Sequence, residues 1–489
     1  MKGGSSQYRD IPLKMVGGNK FGRVSQISPE QTFNMIVSDD ALVPFAGYRR
    51  VDEVSTEGTG RGIYASASLN KMYAVINNRI YEYDSEGDKT IVGSLETYTG
   101  DVFIDQNNAD EIVFSDDLNI YVYDGRTGVF TTLTPTDLGF RPGYLTFQNG
   151  YIISPDLDSN LWYLSQLNQA TIWPGTAQFV GSIATKAGKA RAAKRVPSRG
   201  NLLFVFGENV GEYWQDSPTL AAAGDFPYQR NQTSNIDFGL INPATLDSND
   251  HTTCWVAKNE KSGPAIMYSG GSIVEKISTD GIDYRLSQLE HPESCYGYML
   301  RLNGHVFYIV TWNLDNVTYM YDFNTKLFFT LTDEKMNAFI PKRVAFFQNR
   351  YFFVSINDGN VYELGAQFST YDYGDDNVHD IPWIRVCPTF RLSDQSRFKT
   401  GYAGFPMQQG SFNNNVGDTD NVPRIDLSVS KDNGTSFGNY YGKELLPQGK
   451  RANRLMWYGL GYSNNITPQF RFNGFQDFIF KDGVMGVSQ

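Results

Sequence analysis

Hydrophobic and polar positions alternate with period two along most of this chain, in short runs broken by Asn, Asp and Gly. The clearest run, Tyr121-Val-Tyr-Asp-Gly-Arg-Thr-Gly-Val-Phe-Thr-Thr-Leu-Thr134, returns far downstream as Tyr319-Met-Tyr-Asp-Phe-Asn-Thr-Lys-Leu-Phe-Phe-Thr-Leu-Thr332, identical at eight of fourteen positions. Each copy alternates, turns on Asp and polar residues, and alternates again, which predicts an antiparallel hairpin. Weaker copies run from Met72 to Asp84, Glu111 to Asp124, Tyr151 to Leu164, Leu202 to Trp214, Ile266 to Ile277, Val306 to Asp322 and Tyr351 to Leu364. Their ends are 40 to 63 residues apart, against roughly 40 to 50 for a four-stranded propeller blade with its turns.

The first unit carries four strand patterns in order, Arg61 to Ala67, Lys71 to Ile76, Arg79 to Asp84 and Lys89 to Leu95, with no room for a crossover helix. The sheet is therefore an antiparallel meander, and a radial ring of such sheets is an all-β propeller of about seven blades, six to eight by the count of hairpins. A β-sandwich or a solenoid of hairpins is the plainer alternative, but a solenoid would keep a tighter period. Phe, Tyr and Trp form 14% of the residues, and their flat rings suit the wedges between twisted blades.

The ends read differently. Residues 1–44 are expected to form an N-terminal arm with a short helix opening at Ser28-Pro29-Glu30-Gln31, a capping-box arrangement. The propeller spans 45–370, an acidic solvated linker 371–383, and a C-terminal β domain of sandwich type 384–489.

Composition narrows the function classes. Lys and Arg number 42 against 53 Asp and Glu, a net charge of −11, which argues against a surface generally devoted to nucleic acid. No apolar run approaches the length of a membrane span, and the polar, Gly-rich start does not read as a secretory signal. Three scattered cysteines, Cys254, Cys295 and Cys387, read as buried free thiols suited to a reducing cytosol. The local exception in charge is Lys186, Lys189, Arg191, Lys194, Arg195 and Arg199, six cations with no acid among them. They are the candidate contact to DNA or to an acidic partner, and a solvated insertion loop is the plain alternative.

No constellation for catalysis stands out. The four histidines, His251, His291, His305 and His379, are far apart, and there is no phosphate loop or nucleophile elbow. Asp156-Leu-Asp158-Ser-Asn160 begins like a calcium loop but has Leu161 where Gly is required. Ser430-Lys-Asp432-Asn-Gly434-Thr-Ser436-Phe437 resembles the Asp-box of sialidases, in which the Asp braces a turn without catalysis. The chain is accordingly expected to be no enzyme, with no catalytic, metal or cofactor site.

Phe206-Gly207-Glu-Asn-Val-Gly-Glu212-Tyr213-Trp214, Ser272-Ile-Val-Glu275-Lys276-Ile277 and the run from Ile425 through Phe437 to Trp457 resemble, in order and spacing, the packaged-DNA-stabilisation or tail hub (nozzle) proteins of short-tailed phages. Asn34-Met35 followed by Pro44-Phe-Ala-Gly47-Tyr48 is similar to that family's opening signature. The chain departs from the family after Trp457, where arginines usually follow and this sequence reads Tyr458-Gly-Leu-Gly461-Tyr462. The resemblance implies a structural subunit of a homohexameric ring below the portal and its adaptor. That ring extends the DNA channel, retains packaged DNA until ejection without reading its sequence, and docks a tail needle, tailspike or other distal part. It also implies a virion protein assembled in the host cytoplasm. The alternatives are a carbohydrate-binding propeller or glycosidase of a phage tail, and a monomeric protein-binding propeller.

Overall fold

The computed structural model describes residues 8–22, 29–55, 57–197, 200–270, 273–407, 423–446, 452–474 and 478–489. Seven antiparallel sheets follow one another along the chain. The first blade consists of Gly60–Ser66, Lys71–Ile76, Arg79–Tyr83 and Lys89–Ser94. Asn70 and Asn77 take the left-handed conformation at two of its turns, which Asn tolerates better than most side chains. Blades two to four repeat this plan from Phe103 to Ile236, and the innermost strand of the fifth is split into Gly239–Leu240 and Asp247–Ser248. The sixth comprises Cys295–Leu302, His305–Trp312, Val317–Asp322 and Leu327–Leu331.

The seventh blade closes the ring with residues from two ends of the propeller. Pro341–Phe347, Arg350–Ser355 and Gly359–Gly365 supply three strands, and Gly47–Ser55 pairs antiparallel with the last as the fourth. Pro341–Phe347 also lies beside Gly60–Ser66 of the first blade. One apolar cluster, with Ile63, Met72 and Ala74 from the first blade and Phe352 and Val354 from the seventh, fills the seam. The ring leaves only short, protected sheet edges, and its closure ties early residues to late ones.

The C-terminal region is a sandwich continuous with the propeller. Gln31–Phe33 pairs parallel with Leu327–Leu331 and antiparallel with Trp383–Val386, so the sixth blade's sheet runs on through Asn465–Asn473 and Arg424–Ser430. The opposing sheet orders Arg9–Leu13, Gly483–Ser488, Phe398–Pro406 and Arg454–Ser463. Phe405, Trp457, Phe470 and Phe480 meet between the two sheets. Glu30 and Arg385 form a fully buried ion pair of 2.7 Å at the junction.

Two local expectations are corrected. The helix at Ser28 does not form: Ser28 lies outside the described residues, Pro29 and Glu30 are irregular, and Gln31–Phe33 is a strand. Pairing on both sides of that strand outweighs the local capping signal. Residues 371–383 are not a solvated linker, because Thr370–Asp372 and Val378–Asp380 form a hairpin added to the seventh blade. Tyr371 is fully buried and stacks on Tyr48 at 4.4 Å, and the acids Asp375 and Asp376 are confined to the hairpin tip.

Candidate functional site

Residues in or beside the innermost strands of the blades together line a cavity of about 250 Å³. Blades one to four bring Tyr64, Asp105, Tyr144 and Lys194 to its wall; blades five to seven bring Asp247, Tyr298 and Arg343. Several of these groups bind the next blade. Asp105 accepts the Phe147 N–H at 2.7 Å, and Asp247 accepts the Met299 N–H at 2.8 Å. Lys194 donates to the Tyr144 hydroxyl at 2.8 Å on one side and lies 4.0 Å from Asp247 on the other. Arg343 donates to the Gly297 carbonyl at 3.0 Å. A similar clasp holds blades one and two, where Arg61, fully buried, donates to the carbonyls of Asn77, Thr97, Thr99 and Gly100.

Burial raises the Asp105 carboxyl above the ordinary range, opposed by the Gln106 N–H, Lys194, the Phe147 N–H and Arg195. Burial also works against the Lys194 ammonium, yet Tyr144, Asp247 and Asp105 outweigh it and hold its pKa above the ordinary value. The axial side chains thus act first as ties between blades, since charged hydrogen bonds of this kind are stronger than neutral ones.

The basic segment is not an insertion loop. Ala190–Arg195 is the innermost strand of the fourth blade, paired with Leu202–Gly207. Its cations find acids contributed by distant parts of the sequence: Arg191 meets Glu208 at 2.8 Å, Lys189 meets Asp158 at 3.5 Å, and Lys186 meets Asp237 at 3.9 Å. Lys186, Lys189 and Asp158 border a groove of about 470 Å³. Arg195 is exposed and makes no ion pair among the described residues, while Arg199 lies outside them. Sequence reasoning missed Asp105, Tyr144, Asp247 and Arg343, whose shared signal is their place in or just before the first strand of a repeat.

The other sequence candidates are dispersed. His305 is buried against Asp322 at 2.9 Å, His379 contacts Asn377 at 2.8 Å, and His251 and His291 are exposed. Cys254, Cys295 and Cys387 are buried free thiols. Among the described residues no group of His, Cys, Asp and Glu is placed to hold a metal, and no helix is long and apolar enough to cross a membrane. The Asp-box-like segment braces a turn: Asp432 accepts from Ser430 at 2.6 Å and from the Ser436 N–H at 2.9 Å, and its pKa falls to about 2, chiefly through the Ser430 bond. Glu212, within the Glu212-Tyr213-Trp214 motif, is fully buried and accepts from the N–H groups of Ala184 and Thr185 and from the Trp214 indole. That motif is an anchor within the fourth blade.

No curated protein matches the chain. Solved structures with a similar course include a streptogramin B lyase (13% identity, TM-score 0.42, covering 66% of this chain and 97% of that one). A catalytically inactive virginiamycin B lyase from Staphylococcus aureus with quinupristin is similar at 12% identity and TM-score 0.45, covering 65% and 99%. The N-terminal domain of Nup159 is similar at 11% identity and TM-score 0.42, covering 68% and 98%. A family model described as bacteriophage P22 Gp10, beta-propeller, matches residues 30–369, the span from the strand joining propeller and sandwich to the end of the seventh blade, and the chain belongs to that phage-stabilisation family.

Proposed function

We propose that this chain is a structural subunit of a phage tail hub or nozzle, repeated around the tail axis below the portal and its adaptor, which extends the DNA channel, retains packaged DNA and docks distal tail parts. Family membership supports the virion assignment, and the small size of the cavity where the blades meet is the observation that supports the ring. A cavity of about 250 Å³ is smaller than ordinary small-molecule pockets, about 300 to 1,000 Å³, and cannot pass a duplex. Any DNA conduit must then lie between copies of the chain, where a head-to-tail interface that closes gives cyclic symmetry. Six copies is the number the sequence resemblance implies.

Among the described residues of the basic segment, Arg195 is the cation left open to a partner, Lys186, Lys189, Arg191 and Lys194 being engaged within the propeller. A net charge of −11 suits a wall that does not hold DNA back during exit. Cryo-electron microscopy of purified particles tests the reading: a ring of copies around a DNA-filled axis is expected. A single copy per tail, or DNA running through an individual propeller, overturns it.

A further inference from the structure

The sheet formed by Arg9–Leu13, Gly483–Ser488, Phe398–Pro406 and Arg454–Ser463 buries one face in the sandwich. Its other face carries tyrosines and cations in register. Lys399 stands opposite Tyr462, and Tyr402 opposite Tyr458 on one side and Gly486 on the other. Two glycines let rings lie flat on the sheet: a Cβ at Gly401 would strike the Tyr8 ring at 2.3 Å, and one at Gly486 would strike the Tyr402 ring at 2.3 Å. Tyr458 and Tyr462 remain 69% and 54% exposed.

The cations here are paired with rings and not with acids. Lys399 lies 6.0 Å from the Tyr8 ring centre and 5.9 Å from that of Tyr462, which Arg397 also approaches to 5.9 Å. Lys443 lies 5.9 Å from the Tyr458 ring centre, and Lys431 reaches over Gly461. None of Arg397, Lys399, Lys431 and Lys443 makes an ion pair among the described residues, although the basic strand at the propeller axis finds acids for most of its cations. Four cations without an ion pair, three of them held over aromatic rings, on a chain of net charge −11, form a local field of the opposite sign to the rest of the molecule.

We propose that this face docks a protein partner whose contacting surface presents clustered carboxylates. Tyr and Arg are the residue types favoured at the centres of protein interfaces, and cations already ordered over rings lose less entropy on pairing. Asp10 shows the fit on a small scale, since its carboxylate accepts the Tyr402 hydroxyl. A nucleic acid strand is the weaker occupant: the rings of Tyr8, Tyr458 and Tyr462 have cations over them, so bases would lack open stacking platforms.

This face lies apart from the propeller axis, and only the first sample below rests on the reading of the chain as a virion component. Purified particles are treated with a carbodiimide, which joins an amine to a carboxylate in contact with it, and digested for mass spectrometry. Lys399, Lys431 and Lys443 are expected to couple to Asp or Glu of a neighbouring polypeptide and to resist acetylation that modifies them in the free protein. Equal acetylation in particles and free protein without coupling overturns the proposal, as do nucleotide adducts at Tyr458 or Tyr462 after ultraviolet irradiation. Absence of the chain from particles would defeat the virion reading alone, and the free protein then decides with poly-L-glutamate as probe. Salt-sensitive binding lost in the Lys399→Ser, Lys431→Ser, Lys443→Ser variant, with unfolding temperature unchanged, supports the docking face; no binding, or a preference for duplex DNA, sinks it.

Discussion

Tyr121 and Tyr319 occupy equivalent places in the second and sixth blades. Each lies in the third strand of its sheet, opposite a threonine of the fourth strand eleven positions on: Tyr121 faces Thr132, and Tyr319 faces Thr330. The turns match as well. Asp124 accepts from the Thr127 hydroxyl at 2.7 Å, and Asp322 accepts from the Thr325 hydroxyl at 2.8 Å. The residues common to both copies are thus those that set register and close the turn, which explains why this signal persists while the side chains between them vary.

Tyr121 also has a task its counterpart does not share. Its hydroxyl accepts the Glu96 N–H at 2.8 Å and donates to Asp116 at 3.0 Å, fully buried. Tyr121→Phe leaves both groups short of a partner and is expected to cost about 1–3 kcal/mol, read as a lower urea midpoint at unchanged slope.

Arg61 places a planar fork among backbone carbonyls, with no ion pair among the described residues. A lysine cannot reach four acceptors in that geometry. Arg61→Lys is therefore expected to destabilise the seam of blades one and two by roughly 2–4 kcal/mol. Faster hydrogen exchange confined to residues 60–66 and 95–102 is the accompanying signature.

The buried pair of Glu30 and Arg385 couples the N-terminal strand to the sandwich. Arg385→Met strands the carboxylate and is expected to cost about 3–5 kcal/mol, whereas the double variant with Glu30→Gln recovers a large part of the loss. Chemical unfolding of the single and double variants gives the coupling; simple additivity would show that the pair contributes nothing specific.

Asp117 supplies a pH dependence of opposite sign to the usual carboxylate. Burial, and then Asp101 and Asp116, raise its pKa to about 7, above roughly 3.9 in the unfolded chain. The folded state then holds a proton the unfolded state has released, so stability falls as pH rises from about 4 to about 7 and stays at the lower level beyond. Asp117→Asn, which suits the left-handed backbone there, is expected to stabilise the protein by roughly 1–2 kcal/mol above pH 7 and by little at pH 4. A benefit that does not grow between those values would refute the assignment.

Within the basic strand the consequences divide by position. Lys194→Ser breaks the tie between blades three, four and five and is expected to lower stability by about 1–3 kcal/mol. Arg195→Ser is expected to leave unfolding unchanged, and weakened, salt-sensitive tail assembly in that variant would identify a partner contact. Particles that assemble and retain DNA normally across a salt series would remove Arg195 from the proposed interface.

Sequence alone determined the repeated hairpin, the meander order within a blade and the aromatic filling between blades, because alternation, turn residues and burial on one strand face are local properties. It also carried the family resemblance through Glu212-Tyr213-Trp214, whose glutamate anchors neighbouring backbone. Tertiary structure alone decided how the ring closes, since Gly47–Ser55 and Gly359–Gly365 are far apart in the chain and nothing in either names the other. The same holds for Gln31–Phe33, where partners on both sides overrode a helical signal, and for the basic segment, where a run of like charges met Asp158, Glu208, Asp237 and Asp247 from elsewhere. Charge compensation and strand pairing depend on distance in space, and a linear sequence records distance only along the chain.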